Sequence, residues 1–326
     1  MTTPSTANRY AIGIDFGGTF VKLARVSADG AIEARASFAT PGLDGVSGWL
    51  DAVAAQIDVL RASAAPGAEW AGVGVGVPGF VDYAKGFVHN LTNVPGWTAV
   101  PLADLLRSRF GVPAIVENDV NAMAAGECAY GAGRGLRDAV FVTLGTGVGG
   151  GILLNGSIYR GAFSMAGELG HVSIDKDGIV SPMGKGGVEQ YVGNRRIVEY
   201  ALSCMDAGQD GAAILRIAGG ADNVTPKAIS QAAAEGDPLA IHVFDHVADC
   251  LSTMMASVAY VLQPAAFIVG GGVSAAGPVL FGPLRSHLAE RLSPYFLEHL
   301  EIRPAALGND AGVIGCAALA FSDVPA

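Results

Sequence analysis

Tyr10-Ala-Ile-Gly-Ile-Asp15-Phe-Gly-Gly-Thr19 and Ala139-Val-Phe-Val-Thr-Leu144-Gly-Thr-Gly-Val148 open two parts of the chain in the same way. Each is a short apolar run with strand composition that enters a Gly/Thr turn. A second strand follows, over residues 20–26 and 151–154, and then a tight turn, Asp29-Gly30 or Asn155-Gly156. Asp-Gly and Asn-Gly between strands are hairpin signals, because both tolerate positive φ. The echo predicts two domains that begin alike: strand, Gly/Thr turn, strand, hairpin, strand. A length of 326 residues fits two domains of ordinary size.

Gly145-x-Gly147-x-x-Gly150 matches the dinucleotide-binding fingerprint letter for letter. That motif needs a helix to follow, with the pyrophosphate at its N-terminus. Here a strand and an Asn-Gly hairpin follow, so the Rossmann reading fails. What survives is a turn whose backbone N–H groups can face phosphate oxygens. Alone it reads equally well as a bare hairpin. The matching turn at Asp15–Thr19 favours phosphate, with two turns holding a triphosphate from both sides. There is no Walker A pattern.

Elsewhere the periodicity predicts helices over residues 46–64, 102–110, 121–129, 187–205, 225–262 and 309–321, and strands over 71–77, 114–116 and 266–269. Hydrophobic residues make up 51% and charged ones 15%, which requires packed structure rather than solvated disorder. A net charge of −10 without a basic run argues against nucleic-acid or anionic-membrane partners. The N-terminus lacks a signal-peptide apolar stretch. Residues 250–284 carry no charge, but Pro264, Gly270-Gly271-Gly272, Gly277 and Pro278 interrupt them. A buried helix, strand, glycine turn and second helix are expected there rather than a membrane span. Cys128, Cys204, Cys250 and Cys316 are far apart in apolar contexts and read as reduced core thiols of a cytoplasmic protein.

Glu117-Asn118-Asp119 joins a strand to a helix. Asp119 is then either a helix N-cap or a carboxylate at a strand end that can accept a hydroxyl proton; spacing alone favours the cap. Glu168-Leu-Gly-His171 is either loop or a polar pair for vicinal hydroxyls. His242 and His246, four apart, lack the Glu-first pattern of zinc proteases and read as ordinary helix residues.

Together IGIDFGGTFVKLARV, GVGVPGFVD, LTNVPGW, VENDVNAMAAGE, FVTLGTGVGGGILLNG, AGELGHVSID, GGVEQYVG, FIVGGGVS and LGNDAGVIGCAAL resemble, in order and spacing, the ROK family (repressors, open reading frames, kinases) of bacterial sugar kinases. The resemblance runs from Ile12 to about Ala320. It implies an α/β, two-domain actin-like/hexokinase fold, a duplicated ribonuclease H-like architecture with an interdomain cleft. The small domain is expected over residues 1–119 plus about 308–326, and the large domain over 120–307. The resemblance further implies a homodimer whose substrates are a sugar and ATP with Mg²⁺. Asp119 matches the catalytic base, Asn118 a sugar ligand, Glu168 and His171 the sugar-binding Glu-x-Gly-His, and Glu189 a further sugar-binding glutamate. Asn93 matches the sugar-binding Asn, with Asn90 a rival. Gly17, Gly18, Thr19, Gly145, Thr146 and Gly147 match the phosphate loops, with Asp15 and Lys22 beside the first. Gly270 and Gly271 match the adenosine-side turn.

One departure bears on metal. The family's Cys-x-Cys-Gly-x-x-Gly-Cys motif holds zinc together with the His of Glu-x-Gly-His. Here Ser181-Pro-Met183-Gly-Lys-Gly-Gly187-Val188 stands in its place, without a thiolate. Zinc needs about four N, S or O ligands, so no structural zinc is expected. The reaction expected is transfer of the γ-phosphoryl group to a hexose hydroxyl, glucose O6 first. N-acetylglucosamine, N-acetylmannosamine and fructose are alternatives, and polyphosphate is an alternative donor. Family repressors carry a DNA-binding domain ahead of the first strand. The start of that strand near Tyr10 leaves no room for one of about 50 residues. Asp119 and both phosphate loops speak against a non-catalytic sugar sensor.

Overall fold

A computed structural model describes residues 8–91, 94 and 96–321. The chain forms two compact units. One takes the chain up to Gly135, Ile158–Ala166 and the chain from Ala306; the other takes Leu136–Ser157 and Gly167–Ala305.

In the first unit β1 (Arg9–Phe16) runs antiparallel to β2 (Phe20–Ser27), and β2 to β3 (Ile32–Ala39). Helix α1 (Gly45–Ala62) buries Trp49, Val53, Ile57 and Leu60. Next comes β4 (Glu69–Val77), then a small antiparallel sheet of β5 (Gly79–Asp82), β6 (Phe87–Leu91) and β7 (Thr98–Val100). Helix α2 (Leu102–Phe110) leads to β8 (Ala114–Asn118), and α3 (Asp119–Tyr130) starts directly from it. The main sheet has the order β3-β2-β1-β4-β8, with β4 parallel to β1 and β8 parallel to β4. Phe16, Trp49 and Trp97 stack edge and face with centroids 4.9–5.3 Å apart, a rigid floor under the turn that follows β1.

The second unit repeats that plan. β9 (Ala139–Leu144) pairs antiparallel with β10 (Val148–Leu154), and β11 (Ser157–Ile158) follows. A two-strand hairpin, β12 (Val180–Ser181) and β13 (Gly184–Lys185), precedes α4 (Glu189–Val192) and α5 (Asn194–Asp206). Helices α6 (Ala212–Ala218), α7 (Pro226–Ala234) and α8 (Pro238–Leu262) come next, then β14 (Ala266–Gly270), α9 (Pro278–Arg291), α10 (Pro294–His299) and β15 (Glu301–Pro304). The sheet order is β11-β10-β9-β14-β15, with β14 and β15 parallel to β9. It is the first sheet's order over again: hairpin strands outward on one side, parallel strands on the other.

The expected continuous helix over 225–262 is two helices. Thr225 and Asp237 each cap an N-terminus, and Pro226 and Pro238 each start a first turn, so the second cap ends the first helix. The uncharged run 250–284 is the end of α8, β14, a glycine turn and the start of α9, with Leu251, Met254, Phe267 and Leu280 in the core. Among the described residues no helix is long and apolar enough to cross a membrane. Cys204, Cys250 and Cys316 are buried and all four cysteines are unpaired. Burial pushes the Cys128 and Cys250 thiols up to about 12, so they stay protonated and inert.

Helix α11 (Ala311–Phe321) closes the first unit by lying on β1 and β4 at very short range. A Cβ on Gly13 or Gly74 would collide with the Val313 or Cys316 carbonyl, and one on Gly315 with the Ala122 carbonyl of α3. The first unit runs on past α3 to Gly135. The fully buried Glu127 secures the arrangement. Its carboxylate accepts Ala132 N–H (2.7 Å), Ala306 N–H (3.1 Å) and Leu307 N–H (2.8 Å), which ties the end of α3 to the chain leading into α11.

Candidate active site

At the end of β8 the roles of two neighbours separate. Asn118 has extended backbone, and its Oδ1 accepts the Val120 N–H (2.9 Å) and the Asn121 N–H (3.2 Å), so Asn118 is the N-cap of α3. Asp119 is the first helical residue, half-buried. The alternative that made Asp119 the cap is overturned, because the cap position needs the non-helical residue. Asn118 keeps its Nδ2, which donates to Gly79 O at 3.4 Å.

Behind this corner lies a charge pair the sequence reading did not assign. Glu117 is 2% exposed. One oxygen accepts Asn118 N–H (2.9 Å) and Asn121 Nδ2 (3.2 Å); the other takes Arg160 Nε (2.8 Å) and Nη2 (2.7 Å). The guanidinium lies 3.5 Å over the Tyr83 ring. Desolvation pushes the Glu117 carboxyl up, and Arg160 opposes that shift. A glutamate at the end of an apolar strand was a visible signal, since a buried charge requires a partner. Its partner 43 positions away was not.

Asp15 and Lys22 face each other across β1 and β2, with Nζ 3.6 Å from the carboxylate. Burial raises the Asp15 carboxyl and Lys22 lowers it. Between them the Gly17 N–H donates to Phe20 O (3.0 Å), and Thr40 Oγ holds Gly17 O at 2.7 Å. Gly18 and Thr19 are exposed at the tip.

In the second unit the Gly145–Gly147 turn is closed by Gly145 N–H donating to Gly147 O (3.0 Å). Gly270 pairs with Thr143 and Gly271 packs on Leu144, so the two glycine turns stand side by side at the ends of β9 and β14. A pocket of about 880 Å³ continues from them, lined by Asn194, Val224, Lys227, Gln231, Gly272 and Val273. Glu189 begins α4, and its carboxylate accepts the Val148 N–H at 2.9 Å. Glu168 and His171 flank a single 3-10 turn with Nε2 3.7 Å from Oε2. Asn90 is exposed on β6, and Asn93 lies outside the described residues.

The His171 loop is held by backbone. Val188 N–H donates to Val172 O (3.1 Å), Ile174 N–H to Gly186 O (2.9 Å), and Ser173 bridges Gly187. Tyr191 OH accepts Ile179 N–H (3.2 Å) and reaches Asp175 Oδ2 (3.3 Å). Among the described residues no group of three or more His, Cys, Asp or Glu could hold a metal ion.

The sequence profile of the ROK family matches residues 11–323. A glucokinase of Halalkalibacterium halodurans is 35% identical over 320 residues, 95% of this chain and 94% of that protein. An N-acetylmannosamine kinase of Salmonella typhi is 28% identical over 312 residues, 96% of this chain and 98% of that protein. Among solved structures, a ROK family glucokinase from Streptomyces griseus in complex with glucose and AMPPNP superposes with a TM-score of 0.78. It is 36% identical and covers 95% of this chain and 98% of its own.

Proposed function

The chain belongs to the ROK family and is a sugar kinase, and from that premise we propose that it phosphorylates glucose at O6 with MgATP, using Asp119 as general base. The observation that carries glucose is the gradient of similarity: 35–36% identity to glucokinases against 28% to an N-acetylmannosamine kinase, each over nearly the whole chain.

The chemistry asks the protein mainly for positioning and charge neutralisation. The glucose O6 lone pair attacks the γ-phosphorus, the bond to the β,γ-bridging oxygen breaks, and ADP leaves with that electron pair. Asp119 accepts the O6 proton, help worth about 10²–10⁴-fold. Asn118 caps its helix through the Val120 and Asn121 N–H groups, and one oxygen of Asp119 also accepts the Val120 N–H at 2.9 Å. Asn118 Nδ2, Glu168, His171 and Glu189 hydrogen-bond the sugar, with Asn93 as a further ligand. The 145–147 and 17–19 turns, with Lys22, receive the phosphates. Adenosine occupies the pocket beside Gly270-Gly271. Mg²⁺ bound together with ATP would supply charge neutralisation at the phosphates. The half-buried Asp15 carboxylate, with a single lysine beside it, suits a hard cation that keeps most of its water. We further propose a homodimer, which light scattering would test.

A panel of glucose, N-acetylglucosamine, N-acetylmannosamine and fructose with MgATP, repeated with polyphosphate, tests the assignment. Glucose with ATP should give the highest kcat/KM. A higher value for another sugar, or for polyphosphate, overturns that part of the reading.

A further inference from the structure

The Gly145–Val148 turn is fastened to one short piece of chain. Glu189 accepts Val148 N–H at 2.9 Å, and Asn194 N–H donates to Gly145 O at 2.9 Å. Gly193 sits against the Thr146 carbonyl, which a Cβ there would approach to 2.9 Å. The intervening residues are helical, and Gly193 N–H closes them by donating to Glu189 O at 3.1 Å. Glu189 cannot shift without moving the turn. Gly147 is glycine for the same reason, since a Cβ there would overlap the Glu189 carboxylate.

We propose that Glu189 is a positioning residue that couples the two substrates. One carboxylate oxygen holds the phosphate turn through Val148 N–H while the other takes a sugar hydroxyl. This rests on the reading of Glu189 as a sugar ligand. A carboxylate fixed by sugar fixes the turn, so ATP binds an already ordered loop. Coupling is reciprocal, and ATP tightens sugar by the same factor. A helix that merely supports the fold would weaken both ligands without altering the ratio between liganded and unliganded affinities.

The test is calorimetric titration of AMPPNP with Mg²⁺, without glucose and with glucose at saturation, on wild type, Glu189→Ala, Glu189→Gln and Gly147→Ala. In the wild type glucose should lower the AMPPNP Kd about fivefold or more. Glu189→Ala should bind glucose more weakly and show a ratio near one. Gly147→Ala should push the carboxylate aside and also bring the ratio near one. Glu189→Gln keeps an acceptor for Val148 N–H in the same shape, so it should fold and retain part of the coupling. A wild-type ratio of one overturns the inference, and so does a Glu189→Ala protein that binds glucose weakly with the wild-type ratio. Unchanged glucose affinity in Glu189→Ala overturns the sugar-ligand reading itself.

Discussion

Glu117 carries the heaviest electrostatic demand at the corner that presents Asp119. Its carboxylate is almost wholly buried, gathers the Asn118 N–H and Asn121 amide, and meets Arg160 through two nitrogens. Breaking a buried pair by neutralising one partner leaves the other charge uncompensated, at a cost on the order of 3 kcal/mol. Glu117→Gln should therefore lower unfolding stability by about that amount and reduce kcat. Adding Arg160→Met should return part of the stability. Urea unfolding of the three proteins checks this, and a loss under about 0.5 kcal/mol in Glu117→Gln would contradict it. At this scale the sequence was half legible. Asn118 and Asp119 stood out, but which of them capped the helix depended on the φ and ψ of residue 118. Arg160 reaches Glu117 only through the fold.

Among the elements, α11 shows how sequence pattern becomes packing distance. β4 reads Gly72, Gly74, Gly76 on alternate positions, one face of a strand without side chains. Gly13 on β1 and Gly315 on the helix complete a surface on which backbone meets backbone. Gly74→Ala should cost about 2–3 kcal/mol, because its neighbour is a main-chain carbonyl that no rotamer change can move. A melting temperature within a degree of wild type would contradict this packing. Strands β1, β2, β4, β8, β9, β10 and β14 were legible from apolar runs, and the two hairpins from Asp-Gly and Asn-Gly turns, whereas β15 and the β12–β13 pair were not. The break between α4 and α5 at Gly193 was not, because helical periodicity runs through it. The β5–β7 sheet was also missed, being made of runs of three to five residues.

The two five-stranded sheets share one plan, and in the second unit the loop bearing Glu168 and His171 is held without thiolates. Backbone pairing between residues 172–174 and 186–188 does that work. EDTA added to nucleotide-free protein should leave the melting temperature unchanged, and elemental analysis of untagged protein should show well under one zinc per chain, since His171 has no soft-ligand partners in sequence. About one zinc per chain would refute this. The duplication was readable from the echo at Tyr10 and Ala139. The role of Glu127 was not, because the backbone N–H groups it gathers, from residue 132 and from residues 306 and 307, meet only in the fold. If Asp119 takes the proton from a sugar hydroxyl, its loss should fall on turnover rather than on sugar binding. The direct measurement is glucose-dependent ADP release with MgATP by wild type and Asp119→Asn, with glucose affinity measured alongside. Asp119→Asn should show a kcat lower by about 10²-fold or more at near-normal glucose affinity. Near-wild-type turnover by Asp119→Asn would contradict it.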